Sequence, residues 1–266
     1  MYGSNDPEEL VRQCAENLKV PLSDAFREEE FLVQSRGMAT WLRLQLAERL
    51  GVCANTRFRF PAQTIWMILR GFLGKDRTPE ENPYSKEAMA WRIHDLLPEL
   101  IKEDAETYAG PVRYLSVGEG DGDRELRLCW QIAGLLDGYQ TYRPEMILQW
   151  DAGKLPEDGN RWQGDLWVKL REAFGEDNPS LPELRRQLGS LEKEPQDPDA
   201  LPERLSIFGI STLPPIFLDV LQAYGRWRPL GVYALQPAPV QWGEVESEKW
   251  RLRALERAGR QAGRSV

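Results

Sequence analysis

The sequence predicts an α/β protein built on a parallel sheet and interrupted by an all-helical stretch, and three observations lead there. Residues 31–51, FLVQSRGMATWLRLQLAERLG, pass from an apolar run through a break at Ser35-Arg36-Gly37 into helical spacing. Two more apolar runs with the look of buried strands, LSIFGIS and PLGVYAL, come only after residue 204 and flank another helical pattern. Between residues 75 and 200 the apolar positions recur at three- and four-residue steps, with no β-branched run among them.

Taken in order, Asp6-Pro7-Glu8-Glu9 reads as a helix start, with Asp6 as cap, Pro7 in the first turn and Glu9 in capping-box position. Leu10, Val11, Cys14 and Leu18 then mark one apolar face. The opening strand follows, and its helix has Met38, Trp41, Leu42, Gln45, Leu46 and Leu50 at helical spacing before Gly51 stops it. Phe60-Pro61 begins the next helix, with Ile65, Trp66, Leu69, Phe72 and Leu73 inward.

The helical stretch contains one helix from Ser85, one from Asp123 and one from Asn160. Between the first two lies Gly118-Glu119-Gly120-Asp121-Gly122-Asp123, a mobile acidic loop by composition. Its glycines and acids fall at the wrong offsets for a calcium loop. Glu192 to Glu203, with three prolines and five acidic residues, reads as a linker. Beyond it Pro214-Pro215 starts a helix with an apolar stripe of Phe217, Leu218, Leu221 and Tyr224. The expected division is 1–74 plus 201–266 as the α/β part and 75–200 as the helical insert.

A chain of 266 residues with 41% hydrophobic residues and 10 tryptophans can bury a sizeable core. Its net charge of −8 argues against a free-standing, non-specific nucleic-acid binder. Three scattered cysteines, Cys14, Cys53 and Cys129, make a disulfide framework improbable and point to a reducing cytoplasm. With no apolar signal core and no run long enough to span a bilayer, the expectation is a cytoplasmic protein without a membrane partner.

One histidine, His94, excludes His-based triads and multi-histidine metal sites, so no metal is expected. No GxxxxGK[ST] occurs, and the nearest imitation, Gly71 to Lys75, follows a helix instead of a strand. A strand, tight turn and helix of the kind that grips phosphate is present without its lysine. No cofactor and no catalytic residue are therefore assigned.

The stretches FLVQSRGMATWLRLQLAERLGVCANTRFRFPAQTIW, YRPEMILQW, LSIFGISTLPPIFLDVLQAYG and VYALQPAPVQWGEV together resemble the N-terminal part of the RecC family, the gamma chain of exodeoxyribonuclease V. The resemblance runs from residue 2 to about 245. It implies a RecA-like domain of the superfamily 1 helicase type that carries a helical insertion and has lost ATP hydrolysis. Phe208-Gly209-Ile210-Ser211 stand where an active relative would end its strand in an Asp-Glu pair.

By the same resemblance the module handles DNA in a helicase–nuclease with RecB-like and RecD-like partners. It would line a tunnel where the unwound single strand is inspected for a Chi-like sequence. Gln34 matches a family glutamine, Phe60 an apolar wall position and Trp66 a tryptophan. Leu135, Asp137 and Arg143 match a leucine, an aspartate and an arginine of the reading surface, and Thr40 stands at a polar position. Arg36 departs from a small hydroxyl residue of the family, and Gly134 and Gly138 replace polar side chains. No counterpart is found for a further arginine near residues 181–186.

Gln34, Arg36, Thr40, Phe60, Trp66, Leu135, Asp137 and Arg143 are thus the candidate DNA-binding residues. Each has a plainer role to compete with: Trp66 as core, Asp137 with Arg143 as a surface ion pair, Gln34 bonded within its own turn. An architectural scaffold that binds the motor partner without DNA is the alternative function, and an unseen ATPase or nuclease the rival of another class.

Overall fold

The computed structural model describes residues 1–116, 122–189 and 194–236. Most of the glycine-rich loop and all of the arginine-bearing stretch 244–266, read as an amphipathic helix or a solvated tail, lie outside these residues. The described strands are β1 (Tyr2–Ser4), β2 (Glu29–Val33), β3 (Thr56–Arg59), β4 (Leu205–Phe208) and β5 (Leu230–Leu235). They form one sheet in the order β1-β5-β4-β2-β3, and every pairing is parallel.

Helices α1 (Pro7–Leu18) and α2 (Arg36–Leu50) cover one face of this sheet. The other face is covered by α3 (Pro61–Leu73), α9 (Leu181–Leu188) and α10 (Pro215–Trp227). Because successive strand residues point to opposite faces, Phe31 and Val33 join Leu42, Leu46 and Phe208 on the first side, while Leu32 joins Phe72 and Val220 on the second. Coverage on both sides explains why β2 and β4 read as unbroken apolar runs. Full burial of each such Leu or Phe contributes about 1.5–3 kcal/mol.

Between α3 and β4 the described elements are α4 (Lys86–Glu103), α5 (Ala109–Ser116), α6 (Gly122–Tyr142), α7 (Pro144–Asp151), α8 (Arg161–Phe174), α9 and one 3-10 turn, Pro198–Ala200. A separate apolar cluster, with Tyr84, Met89, Ile93, Leu136, Trp150 and Trp167, joins α4, α6, α7 and α8. The three leucines of α9 instead pack with α3 beneath the sheet.

Two helix starts rest on serine caps. The Ser35 hydroxyl accepts from Met38 N at 3.2 Å and caps α2, and Ser85 does the same for Ala88 N at 3.3 Å on α4. Gly51 ends α2 with φ +79°, a left-handed value that costs glycine little.

Four expectations need correction. Asp6 caps α1 by accepting from Glu8 N, but Glu9 bonds to Arg12 and Gln13 and leaves Asp6 N to the Ser4 hydroxyl, so no capping box forms. Strands β1 and β3 went unpredicted because a three-residue edge has no period and β3 alternates arginine with apolar residues. Their partners define them: Tyr2 stacks on Tyr233 at 5.3 Å, and Arg59 pairs with Glu30 of β2.

The acidic linker is the third correction, since its residues from 194 onward are docked. Asp197 N donates to Gly71 O at 2.9 Å, Leu201 is buried in the sheet core, and Glu203 accepts from Ser23. Composition marked where helical periodicity stopped and could not show that a buried leucine anchors the segment. Lys75, the lysine of the false phosphate loop, pairs with Asp197 at 3.1 Å. The fourth correction concerns Gln34 and is given with the site below.

The three cysteines are free, with Cys14 and Cys129 buried and Cys53 half-buried. Burial pushes the Cys14 thiol from 9.0 to about 12 and that of Cys129 to about 11. A folded-state pKa raised in this way leaves stability intact below about pH 9 and erodes it as pH rises toward those values. In thiol titration at neutral pH, Cys53 is expected to label first and the other two only as the chain unfolds. Early labelling of Cys14 would contradict the packing of α1 on the sheet.

Candidate nucleic-acid interface

Because all strands run parallel, the residues that follow them lie along one edge of the sheet. Val33 pairs with Phe208 and Leu32 with Arg59, so Gln34, Gly209 and Phe60 stand side by side at that edge. The chain leaves β2 toward one face and the adjacent β4 toward the other. This is the topological switch point at which open α/β sheets bind ligands.

That crevice is occupied by the chain itself. Gly209 has φ +67°, and a Cβ built on it would meet Met38 Cε at 3.1 Å. The Ser35 hydroxyl takes one of the free N–H groups at the start of α2. A thioether therefore packs against the glycine at the strand end.

Gln34, Arg36 and Thr40 are all exposed on the β2–α2 turn and the first turn of α2. The plainer role of Gln34, bonded within its own turn, is the fourth correction: no such bond forms among the described residues, since β2 ends one residue earlier and water reaches the amide. Thr40 donates its hydroxyl to Arg36 O at 3.1 Å, the ordinary back-bond of a helical threonine. Phe60 is half-buried against the α1–α2 core, and its N–H donates to Gln63 Oε1 at 3.4 Å.

Trp66 takes the plainer of its two expected roles, that of a core residue. It is 7% exposed within the sheet core, and its indole N–H donates to Pro79 O at 3.0 Å. Its remaining surface lines a small cleft of about 30 Å³ that also contains Asp137, Asn82 and Phe217. The fold thus brings two candidates, Trp66 and Asp137, to one concavity. Leu135 is 37% exposed, on the outer side of α6.

Arg143 sits at the junction of α6 and α7 with its guanidinium 5.5 Å from the Tyr139 ring centre. Among the described residues it has no ion pair with Asp137. Burial raises the Asp137 carboxyl above its ordinary value, while Lys86 pulls it down and Glu87 pushes it up.

A larger cleft of about 430 Å³ adjoins the first, with Thr141 common to both. Its walls include Tyr142, Glu145, Arg185, Arg186, Ile216 and Asp219. Arg185 is held by Asp219 at 2.9 Å, whereas Arg186 is exposed and has no ion pair among the described residues. Both lie in the stretch 181–186 where no counterpart of a family arginine was found, and no helix was expected at LPELRRQL. The high apolar amphipathicity of that octet was the available signal.

A family model described as the RecC N-terminal domain matches residues 1–265. The chain belongs to the RecC family. It is 33% identical over 246 residues to the RecBCD enzyme subunit RecC of Escherichia coli (strain K12), covering 90% of this chain and 22% of that protein. Its identity to the subunit of the same name from Haemophilus influenzae is 31% over 272 residues, covering 92% and 24%. For Mycolicibacterium smegmatis the identity is 32% over 244 residues, covering 90% and 21%.

The RecC-family chain therefore spans between a fifth and a quarter of the length of these curated relatives. Among its described residues no helix is long and apolar enough to cross a membrane.

Proposed function

We propose that this RecC-family chain is a non-catalytic DNA-handling module of a RecBCD-type helicase–nuclease. It guides the unwound DNA and binds single-stranded DNA for recognition of a Chi-like sequence during double-strand-break repair in the cytoplasm. Partner subunits of the RecB and RecD kind supply ATP hydrolysis and strand cleavage. On this reading residues 1–74 and 201–266 form the superfamily 1 helicase-like domain, and 75–200 its helical insert.

The observation that carries the reading is the β2–β4 switch point. Met38 fills the crevice against Gly209, while the residues beside it, Gln34 and Arg36, face solvent. A helix start that has given up its ligand crevice still offers an exposed amide and a guanidinium, the groups that contact base edges and phosphate. Arg143 and Arg186 add exposed cations on the facing helices, so a polyanion is met locally in a chain of charge −8.

The test is fluorescence anisotropy with labelled single-stranded DNA at low and moderate salt. Binding should weaken as salt rises, and Arg143→Ala should lower the salt slope by about 1 if the guanidinium meets a phosphate. Gln34→Ala should reduce discrimination between sequences by about 1–3 kcal/mol if the amide reads a base edge. ATP with magnesium should leave the melting temperature unchanged, and an upward shift would overturn the non-catalytic reading. Absence of DNA binding even at low salt would favour the scaffold that binds a motor subunit alone.

A further inference from the structure

Residues 196–201 cross the end of α3 on a track without side chains. A Cβ built on Gly71 would lie 2.4 Å from Leu201 Cδ2, and one built on Gly74, a turn further along, would lie 2.6 Å from Gln196 Oε1. Glycine at both positions is what lets the segment reach the helix backbone. There Asp197 N donates to Gly71 O at 2.9 Å and Gln196 N to Phe72 O at 3.4 Å, so two carbonyls of the final turn of α3 are satisfied from outside the helix.

Charged contacts hold the outer side of the segment. Asp197 pairs with Lys75 at 3.1 Å and Asp199 with Arg27 at 3.4 Å, while Arg228 donates to Pro198 O at 3.0 Å. Three consecutive residues thus meet cations that follow α3, precede β2 and follow α10. The Lys75 side chain is 61% exposed and that of Asp199 89%, so these contacts are open to water and individually weak.

Of the six residues only Leu201 is buried. Fixing six residues costs conformational entropy of the same order as one buried leucine, two backbone bonds and a few exposed ionic contacts return. Strand β4, which begins four residues later, is buried at all four positions and paired on both sides. Two neighbouring stretches of chain therefore differ widely in the free energy needed to open them.

We propose that residues 196–201 form a detachable strap that opens as a unit while the sheet and its helices stay folded, releasing Lys75, Arg27 and Arg228 from their partners on the strap. The inference is independent of the strand-binding function proposed above. Closed, the strap fills the hole over Gly71 with Leu201 and sets its two aspartates against Lys75 and Arg27. Open, it uncovers that apolar hole, the two carbonyls of α3 and the three cations together, while Arg27 keeps its 4.0 Å contact with Glu203 outside the strap.

The experiment is native-state hydrogen exchange of the full 266-residue chain, read at the Asp197 amide and at the amides of β4. In the wild type the Asp197 amide should exchange faster than those of β4 by about a hundredfold or more. Gly71→Ala sets a methyl group against Leu201 in a helix that accepts alanine better than glycine. It should speed the Asp197 amide by about tenfold and leave β4 protected as in the wild type. Lys75→Gln, an exposed change that leaves the core untouched, should act in the same direction by about two- to fivefold.

Equal exchange of Asp197 and β4 in the wild type would overturn the strap, because the segment then opens only with the whole fold. So would a Gly71→Ala variant that speeds both alike. An Asp197 rate unchanged in Lys75→Gln would overturn the charged part of the closure.

Discussion

Trp167→Ala is expected to lower the stability of the chain by about 3–5 kcal/mol in urea denaturation. The indole is fully buried in the cluster that joins α4, α6, α7 and α8, where its ring centre lies 5.3 Å from that of Tyr84. Its N–H donates to Asp151 Oδ1 at 2.8 Å. Truncation would open a cavity the size of an indole and also remove a hydrogen bond that lowers the pKa of a carboxyl raised by burial.

The effect should reach the candidate interface, because Asp151 closes the helix that begins beside Arg143. Trp167→Phe keeps most of the volume and loses the donor, so it should fall between wild type and Trp167→Ala. A loss under about 1 kcal/mol for the alanine variant would mean that the helices close the gap and that the cluster is not tightly packed.

Arg204→Ala is expected to cost about 2–4 kcal/mol by the same measurement, although no apolar core is touched. Arg204 stands just before β4 and pairs with Glu29 at the start of β2, and the two side chains are 15% and 17% exposed. Its guanidinium also donates to Asn17 O at 2.9 Å and Val20 O at 3.0 Å at the end of α1. One side chain thus fixes three segments at the end of the sheet opposite Gln34 and Gly209.

Removing the arginine leaves a carboxylate and two carbonyls without their donor, which is why the loss should exceed that of a surface ion pair. A double-mutant cycle with Glu29→Ala should give a coupling of about 1 kcal/mol or more. Additive losses would assign the stabilisation to the two carbonyl contacts instead.

Legibility from sequence varied with how local the cause was. The helix start at Ser85 was readable because a hydroxyl three residues before a free N–H acts within one turn. Gly51 was readable because a left-handed residue ends a helix wherever it occurs. The β3 edge was unreadable, since Arg57 and Arg59 resemble a solvated stretch until Glu28, just before β2, and Glu30 within it are beside them.

At the candidate interface the sequence supplied Gln34, Arg36, Thr40, Phe60, Trp66, Leu135, Asp137 and Arg143 through family resemblance. Nothing local distinguishes their surface from any other. Gln140 was passed over because a glutamine in an amphipathic helix looks like an ordinary solvent-facing residue. It is buried against Met89 of α4, which is remote in sequence.

By itself the sequence determined the α/β class, the helices that begin near Ser85, Asp123 and Asn160, and the family, because strand and helix periods, caps and long ordered motifs are written residue by residue. Tertiary structure decided the five-strand order, the docking of residues 194–203, the filling of the switch-point crevice by Met38, and the meeting of Trp66 with Asp137 and Gln140. These depend on segments far apart in the chain, whose pairing is set by summed burial and hydrogen-bond satisfaction over the whole molecule.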